Sequence, residues 1–204
     1  VHGFPAIESP KLDSMAESLS IIEKCLVEHR DVLAKLDATK PQIAQAADLV
    51  TQSVKAGKTI LLAGNGGSAA DAIHIAGEFV GRFLMERRGA PAIALNTNDS
   101  SMTAIANDYG YEEIFARQIE AFGPISGVFI AYSTSGNSAN ILKAIEKARD
   151  YGLKIIGMTG ENGGRMKSLC DVCLCAPSSH TPRVQEMHAL IGHILCEISE
   201  PAIA

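Results

Sequence analysis

His74 and Glu78 stand one helical turn apart in "SAADAIHIAGEFVGRF", and Arg82 follows at the same interval. At that spacing an imidazole, a carboxylate and a guanidinium share one stripe of a helix. An imidazole beside a carboxylate suits proton transfer to and from a bound molecule, or half of a metal site. The plainer readings are a core histidine and an ion pair between Glu78 and Arg82. Glu78, however, lies between Ala76 and Phe79 in an otherwise apolar helix, where a carboxylate needs a partner. A second group occurs in "TPRVQEMHALIGHILCEI", with Gln185, His188 and His193. On a helical wheel Gln185 and His193 differ by about 80°, and His188 lies about 60° from Gln185 on the other side. Ile191, Gly192, Ile194 and Leu195 flank His193, which therefore faces something buried. A satisfied core histidine is the alternative at each position, and at His188 the two readings stand level.

Two polar turns precede helices of this kind. "GNGGSAADA", from Gly64 to Ala72, follows an apolar run and opens a helix. Its glycines allow positive φ and close approach of a ligand, and the free N–H groups of a helix start attract an anion. It is neither a Walker A motif nor a dinucleotide fingerprint, because the spacing is G-x-G-G-S and no Lys follows. The bland alternative is a glycine turn with Ser68 as the helix N-cap. "STSGNSANI", Ser133 to Ile141, repeats the plan two strands later. Capping accounts for Ser138 but not for Ser133, Thr134 and Ser135 together, so a phosphate cup of hydroxyls and amides is the better reading. Two such cups imply a ligand with phosphate at one end and hydroxyls along its length.

The elements that must hold these residues follow from periodicity. Residues 11–37 and 40–56 read as helices, with Pro41 in the first turn of the second and Gly57 at its end. From Thr59 onward short apolar runs at 59–64, 91–96, 127–133, 154–159 and 172–177 alternate with helical stretches at 68–85, 100–107, 111–122, 138–151 and 182–200. A further short turn of helix is expected near 164–169. Runs without polar alternation are strands buried on both faces. The expected fold is therefore a three-layer α/β/α sandwich with a five-stranded parallel sheet and an N-terminal helical arm. Residues 1–204 form a single domain, with the arm at 1–56 and the α/β core at 57–204. In such sheets ligands bind at the carboxyl ends of the strands, where both cups fall.

Composition excludes several classes. A net charge of -5 with no long basic run argues against a nucleic-acid or anionic-membrane partner. Arg87 and Arg88 read as solvated surface. No apolar run reaches the ~20 residues of a membrane span, and "VHGFPAIESPKLDS" lacks a signal-peptide plan, so a cytoplasmic location is expected. The five Cys agree with a reducing compartment. "CDVCLC" has the look of a zinc half-site, but no second Cys or His pair follows at ribbon spacing, and reduced thiols are expected.

Taken together, "GNGGSAADA", the His and Glu after it, "ANDYGYEEIF", "STSGNSANI" and "RVQEMH" with its later "GH" resemble the phosphoheptose isomerase family of the sugar-isomerase (SIS) fold. The resemblance runs from the helical arm to the end of the chain. It implies a homotetramer with active sites at subunit interfaces, the arm serving in oligomerisation. It also implies an aldose–ketose isomerase that converts sedoheptulose 7-phosphate to D-glycero-D-manno-heptose 7-phosphate, the first step of bacterial ADP- or GDP-heptose biosynthesis. Carried over by motif, Asn65, Gly66, Gly67, Ser68, Asn107, Asp108 and Gln185 contact substrate. Ser133, Thr134, Ser135 and Ser138 hold its phosphate, and Glu78 is a further contact to the substrate. Glu78 and His193 match the catalytic pair, and His74, Glu78, Gln185 and His193 match the zinc positions of some members. No organic cofactor is implied. The chain departs from the family where "SHTPRVQ" lacks the usual Asp, and at Ser126-Gly127, where an acidic residue is common.

Other functions exist on this fold. The initiator-associating protein of bacterial replication resembles the chain around "IALNT" and "RVQEMH" but lacks counterparts of Glu78 and His193. A non-catalytic phosphosugar sensor would keep the cups and drop the same pair. Both residues are present here, which favours the enzyme.

Overall fold

In the computed structural model, residues 14–203 are described. Helix α1, Met15–Leu36, begins with a capping box: the Ser14 hydroxyl accepts from the Glu17 amide while the Glu17 carboxylate accepts from the Ser14 amide. The expected helix start at residue 11 lies outside the described residues. Helix α2, Lys40–Lys55, carries Pro41 in its first turn, and Gly57 with φ 66° turns the chain into the sheet. Val32 and Leu36 at the end of α1 are buried, whereas Met15, Leu19, Ile22 and Leu26 in its first half are exposed. The arm thus leaves the core before it has covered its own apolar stripe.

Five strands, β1 Thr59–Ala63, β2 Ala92–Ala94, β3 Ser126–Tyr132, β4 Lys154–Thr159 and β5 Val172–Cys175, form one sheet in the order β2-β1-β3-β4-β5. Every pairing is parallel, as the apolar runs predict. Helices α3 (Gly67–Val80), α4 (Asp99–Tyr109), α5 (Ala116–Phe122), α6 (Ala139–Asp150) and α7 (Thr181–Ser199) complete the core. One apolar cluster joins the sheet to α2, α3 and α7, and a second joins its other face to α5 and α6. The three layers are those expected.

The strand order matters more for the site than any single element. The chain passes from β1 outward to β2, then returns to lay β3 against the other side of β1. A ligand crevice opens where the connections diverge in this way, outside the carboxyl ends of the two strands. The turns after β1 and β3, two strands apart in sequence, are therefore neighbours in space.

Three sequence expectations need correction. Helix α3 stops at Val80 rather than residue 85, because Gly81 leaves helical conformation at φ -77°, ψ -112°. The stretch 111–122 is a 3-10 turn, Tyr111–Glu113, followed by the shorter α5. The last helix, expected at 182–200, runs from Thr181 to Ser199, with His180 in the cap position. All five cysteines are unpaired; Cys173 and Cys175 lie 3.9 Å apart, with the Cys173 thiol pushed up to about 12, mainly by its bond to Cys170.

Candidate active site

The first cup forms because Gly66 adopts φ 57°, a conformation that favours glycine, and serves as N-cap of α3 with no side chain in the way. Ser68, the helix cap of the plainer reading, instead lies inside the first turn and is buried. Gly64 is pinned from the next strand: its N–H donates to Asn96 Oδ1 at 3.2 Å and its carbonyl accepts from Asn96 Nδ2 at 2.8 Å. A side chain on Gly67 would collide with the amide of Gln185 from α7. The glycine therefore lets the start of α3 and a candidate ligand of α7 meet.

The second cup follows β3. Ser138 is the N-cap of α6 but makes no capping bond. Its hydroxyl lies 2.9 Å from that of Ser133, which is itself 3.5 Å from Ser135 Oγ. The serines turn toward one another, so Ser138 leaves the amides of the helix start uncapped by its side chain, as an anion site requires. Gly136, φ 66°, packs so closely on Gly163 that no Cβ fits. Thr134 and Ser135 also line a small cavity of about 150 Å³ with Ser178 and Ser179, on the side toward β4.

A pair of amides joins the two cups. Asn65 Nδ2 donates to Asn140 Oδ1 at 2.9 Å, and Asn140 Nδ2 donates back to Asn65 Oδ1 at 2.8 Å. The Tyr111 hydroxyl donates to the same Asn65 oxygen at 3.2 Å. Asn140 and Tyr111 lie within motifs that stood out in the sequence, yet their own roles depend on the β1–β3 adjacency. Asn107 and Asp108 sit exposed near the end of α4, with Asn107 Nδ2 donating to Asp108 Oδ1 at 2.8 Å. Among the described residues neither side chain hydrogen-bonds to a further predicted site residue.

His74, Glu78 and His193 do converge. His74 Nε2 lies 3.1 Å from Glu78 Oε1 and 3.3 Å from His193 Nε2. One ligand atom from each falls within 4.8 Å of the others. Two nitrogens bound at the ~2.0–2.1 Å typical of zinc in tetrahedral geometry would stand roughly 3.3–3.4 Å apart, so the observed separation suits a shared cation. Two imidazoles and a carboxylate are donors that zinc accepts, and Gln185, the fourth expected ligand, has its amide against Gly67 at the start of α3. The Phe83 ring stacks on His193 with centroids 5.4 Å apart and planes inclined by 21°. The edge of His74 meets His193 at 4.9 Å. Asp71, one turn before His74, has its carboxyl pushed up to about 6 by burial, opposed in part by the nearby His74.

Arg82 is not part of this group. Because α3 ends at Val80, Arg82 turns outward and pairs loosely with Glu86 at 3.9 Å. His188 is also separate: it is fully buried, donates from Nε2 to the Thr159 carbonyl at 3.1 Å, and packs edge-on to Tyr132. Burial lowers its pKa to about 4, partly offset by the Thr159 carbonyl, so it is neutral near pH 7. Arg87, expected at the solvated surface, is buried in an ion pair with Glu200. Nothing in its "ERRG" context distinguishes it from the exposed Arg88 beside it.

A family model described as "SIS domain" matches residues 26–160. Among curated proteins, a phosphoheptose isomerase of Rhodospirillum rubrum is 51% identical over 173 residues, covering 85% of this chain and 92% of that protein. One from Aneurinibacillus thermoaerophilus is 54% identical over 161 residues, covering 79% and 81%. The solved structure of a phosphoheptose isomerase from Francisella tularensis superposes with a TM-score of 0.86 at 36% identity, covering 90% of this chain and 98% of that one.

Proposed function

The chain belongs to the phosphoheptose isomerases of the SIS-domain family, and from that premise we propose that it interconverts sedoheptulose 7-phosphate and D-glycero-D-manno-heptose 7-phosphate, opening the route to ADP- or GDP-heptose. The observation that carries this reading is the convergence of His74, Glu78 and His193 beside two linked anion cups. An aldose–ketose isomerisation moves one proton between C1 and C2 through an enediol(ate). It needs a base that reaches both carbons and a group that shuttles protons between the two oxygens, and no redox cofactor.

In this reading Ser133, Thr134, Ser135 and Ser138 take the phosphate with the free amides of α6. Asn65, Gly66, Gly67 and Ser68 hold the sugar from α3, Asn107, Asp108 and Gln185 complete its binding, and Glu78 touches C1 and C2. Glu78 removes the carbon proton and returns it to the neighbouring carbon. His193 opens the ring and moves the hydroxyl protons; the reverse division of labour uses the same pair. His74, Glu78, Gln185 and His193 would hold a zinc ion, which when bound polarises a carbonyl as a Lewis acid.

The exposed apolar residues Leu19, Ile22 and Leu26 support a homotetramer in which the arm at 1–56 packs against other copies around interfacial active sites. We take residues 1–204 as one SIS domain acting in the cytoplasm; among the described residues no helix is long and apolar enough to cross a membrane. The partners are then the phosphosugar and other copies of the chain.

The test is to incubate the purified protein with sedoheptulose 7-phosphate, with and without a chelator, and to follow heptose 7-phosphate. Product in at least one condition is expected. Turnover in neither would sink the isomerase reading, and sedimentation of an Ile22→Glu, Leu26→Glu variant tests the tetramer.

A further inference from the structure

Beyond the end of α3 the chain runs without regular structure from Gly81 to Pro91, yet its backbone is fastened from inside. Arg87 Nε donates to Glu200 Oε1 at 3.1 Å. Nη2 donates to the carbonyl of Glu78 at 2.9 Å, and Nη1 reaches the carbonyls of Phe79, Gly81 and Arg88 at 2.9, 3.1 and 3.0 Å. The Glu200 carboxylate in turn accepts the amides of Phe83, Leu84 and Met85 at 2.9, 2.9 and 3.0 Å. The two side chains are 1% and 2% exposed. Burying both charges is costly unless the remaining donors and acceptors are filled, and here the guanidinium reaches four carbonyls and the carboxylate three amides.

This pair ties the last turn of α3 to Glu200, just after α7. Those two helices carry the four residues that would share a cation. The link to the site is specific. The amide that Glu200 Oε1 holds belongs to Phe83, whose ring covers one face of His193, while His74 meets that same imidazole edge-on. A ring packed flat against an imidazole restricts its rotation about the Cβ–Cγ bond.

We propose that Phe83, held by the Arg87–Glu200 ion pair, is a positioning residue that fixes the plane of the His193 imidazole so that its Nε2 faces His74 and Glu78. The catalytic consequence rests on the isomerase reading; the geometric one does not. Misplacement of a reacting group by an ångström costs up to about 100-fold in rate. Phe83→Leu keeps apolar bulk but removes the flat face and leaves every bond of the ion pair in place, since those bonds use the backbone of residue 83. It should lower kcat about 10-fold or more with KM changed less than about threefold. It should also weaken zinc binding about 10-fold, within the range typical of losing a group that orients a ligand, read by competition with a chromophoric chelator on the metal-free protein. Phe83→Tyr should restore both to within about twofold, a rescue that a purely structural role in this loop would not produce. Arg87→Met should reproduce the direction of both effects; if it fails to fold, Phe83→Leu decides.

The outcomes separate the two ideas. A wild-type protein that turns over no sedoheptulose 7-phosphate, but whose zinc affinity falls with Phe83→Leu and returns with Phe83→Tyr, would sink the isomerase reading and uphold the positioning role. An active wild type with neither kcat nor zinc affinity altered in Phe83→Leu overturns the positioning role. A wild type with neither turnover nor zinc binding overturns both.

Discussion

His188 and His193 stand five residues apart on one helix and have opposite fates. About 140° of helical rotation separates them. That rotation sends His188 toward β3 and β4, where one ring nitrogen meets the Thr159 carbonyl and the ring packs on Tyr132. His193 is sent toward α3, where it meets His74 and Phe83. One imidazole is held neutral by burial and serves the core; the other is only partly buried and faces an imidazole and a carboxylate. A histidine's role on an apolar helix is set by what the neighbouring element offers it, and its own flanking residues carry little of that information.

The largest test of this contrast exchanges the two losses. His193→Gln, like Glu78→Gln, should cut kcat by about 10²–10⁴-fold, the usual worth of a positioned acid or base, with the fold intact by circular dichroism. His188→Gln should leave kcat within a few fold while lowering the melting temperature. The converse result would show that the assignments of the two histidines are reversed.

Next in size is pH dependence. The His188 pKa falls from 6.5 unfolded to about 4 folded, so the folded state binds fewer protons and acid favours unfolding. Its contribution is fully present above about pH 6.5 and is lost as pH falls toward 4, amounting to about 3 kcal/mol. Asp71, raised from 3.8 to about 6, acts in the opposite sense and gains stability on acidification through the same window. Denaturant melts of wild type and His188→Gln at pH 7 and pH 4.5 isolate the histidine term. Parallel stability curves for the two proteins would show that His188 is not held neutral.

A smaller effect is expected at the joint between the cups. Asn140→Ala leaves the partly buried Asn65 amide without its reciprocal partner, a loss of about 1–3 kcal/mol. Through the Asn65 cup it should appear as a KM for sedoheptulose 7-phosphate raised roughly 5–100-fold, with kcat changed less. An unchanged KM would show that the cups act independently. The least effect is expected at Arg82: its pair with Glu86 is long and exposed, and Arg82→Ala should change stability by less than about 1 kcal/mol and turnover by less than threefold. A strong loss of turnover would restore Arg82 to the catalytic stripe.

Much of this was legible from residue types and spacing. Apolar runs without alternation mark the five strands, the i,i+4 spacing puts His74 and Glu78 together, and clustered hydroxyls mark the serine turn before α6. The errors have separate causes, one local and one distant. Arg82 continues the four-residue rhythm, but Gly81 ends the helix first, and periodicity counts residues without registering that break. Arg87 looks like any surface arginine because its partner Glu200 is 113 residues away.

The sequence by itself determined the layers, the parallel strands, the two polar turns and the shared helical stripe of His74 and Glu78, since each leaves a pattern within a few residues along the chain. Only the tertiary structure decided that the turns after β1 and β3 touch through Asn65 and Asn140, that His193 meets His74 while His188 packs into the core, and that Arg87 belongs inside. These depend on strand order and on the rotation of α7 about its axis. Both are fixed by packing between segments far apart in sequence, whose burial is collective and leaves no local mark.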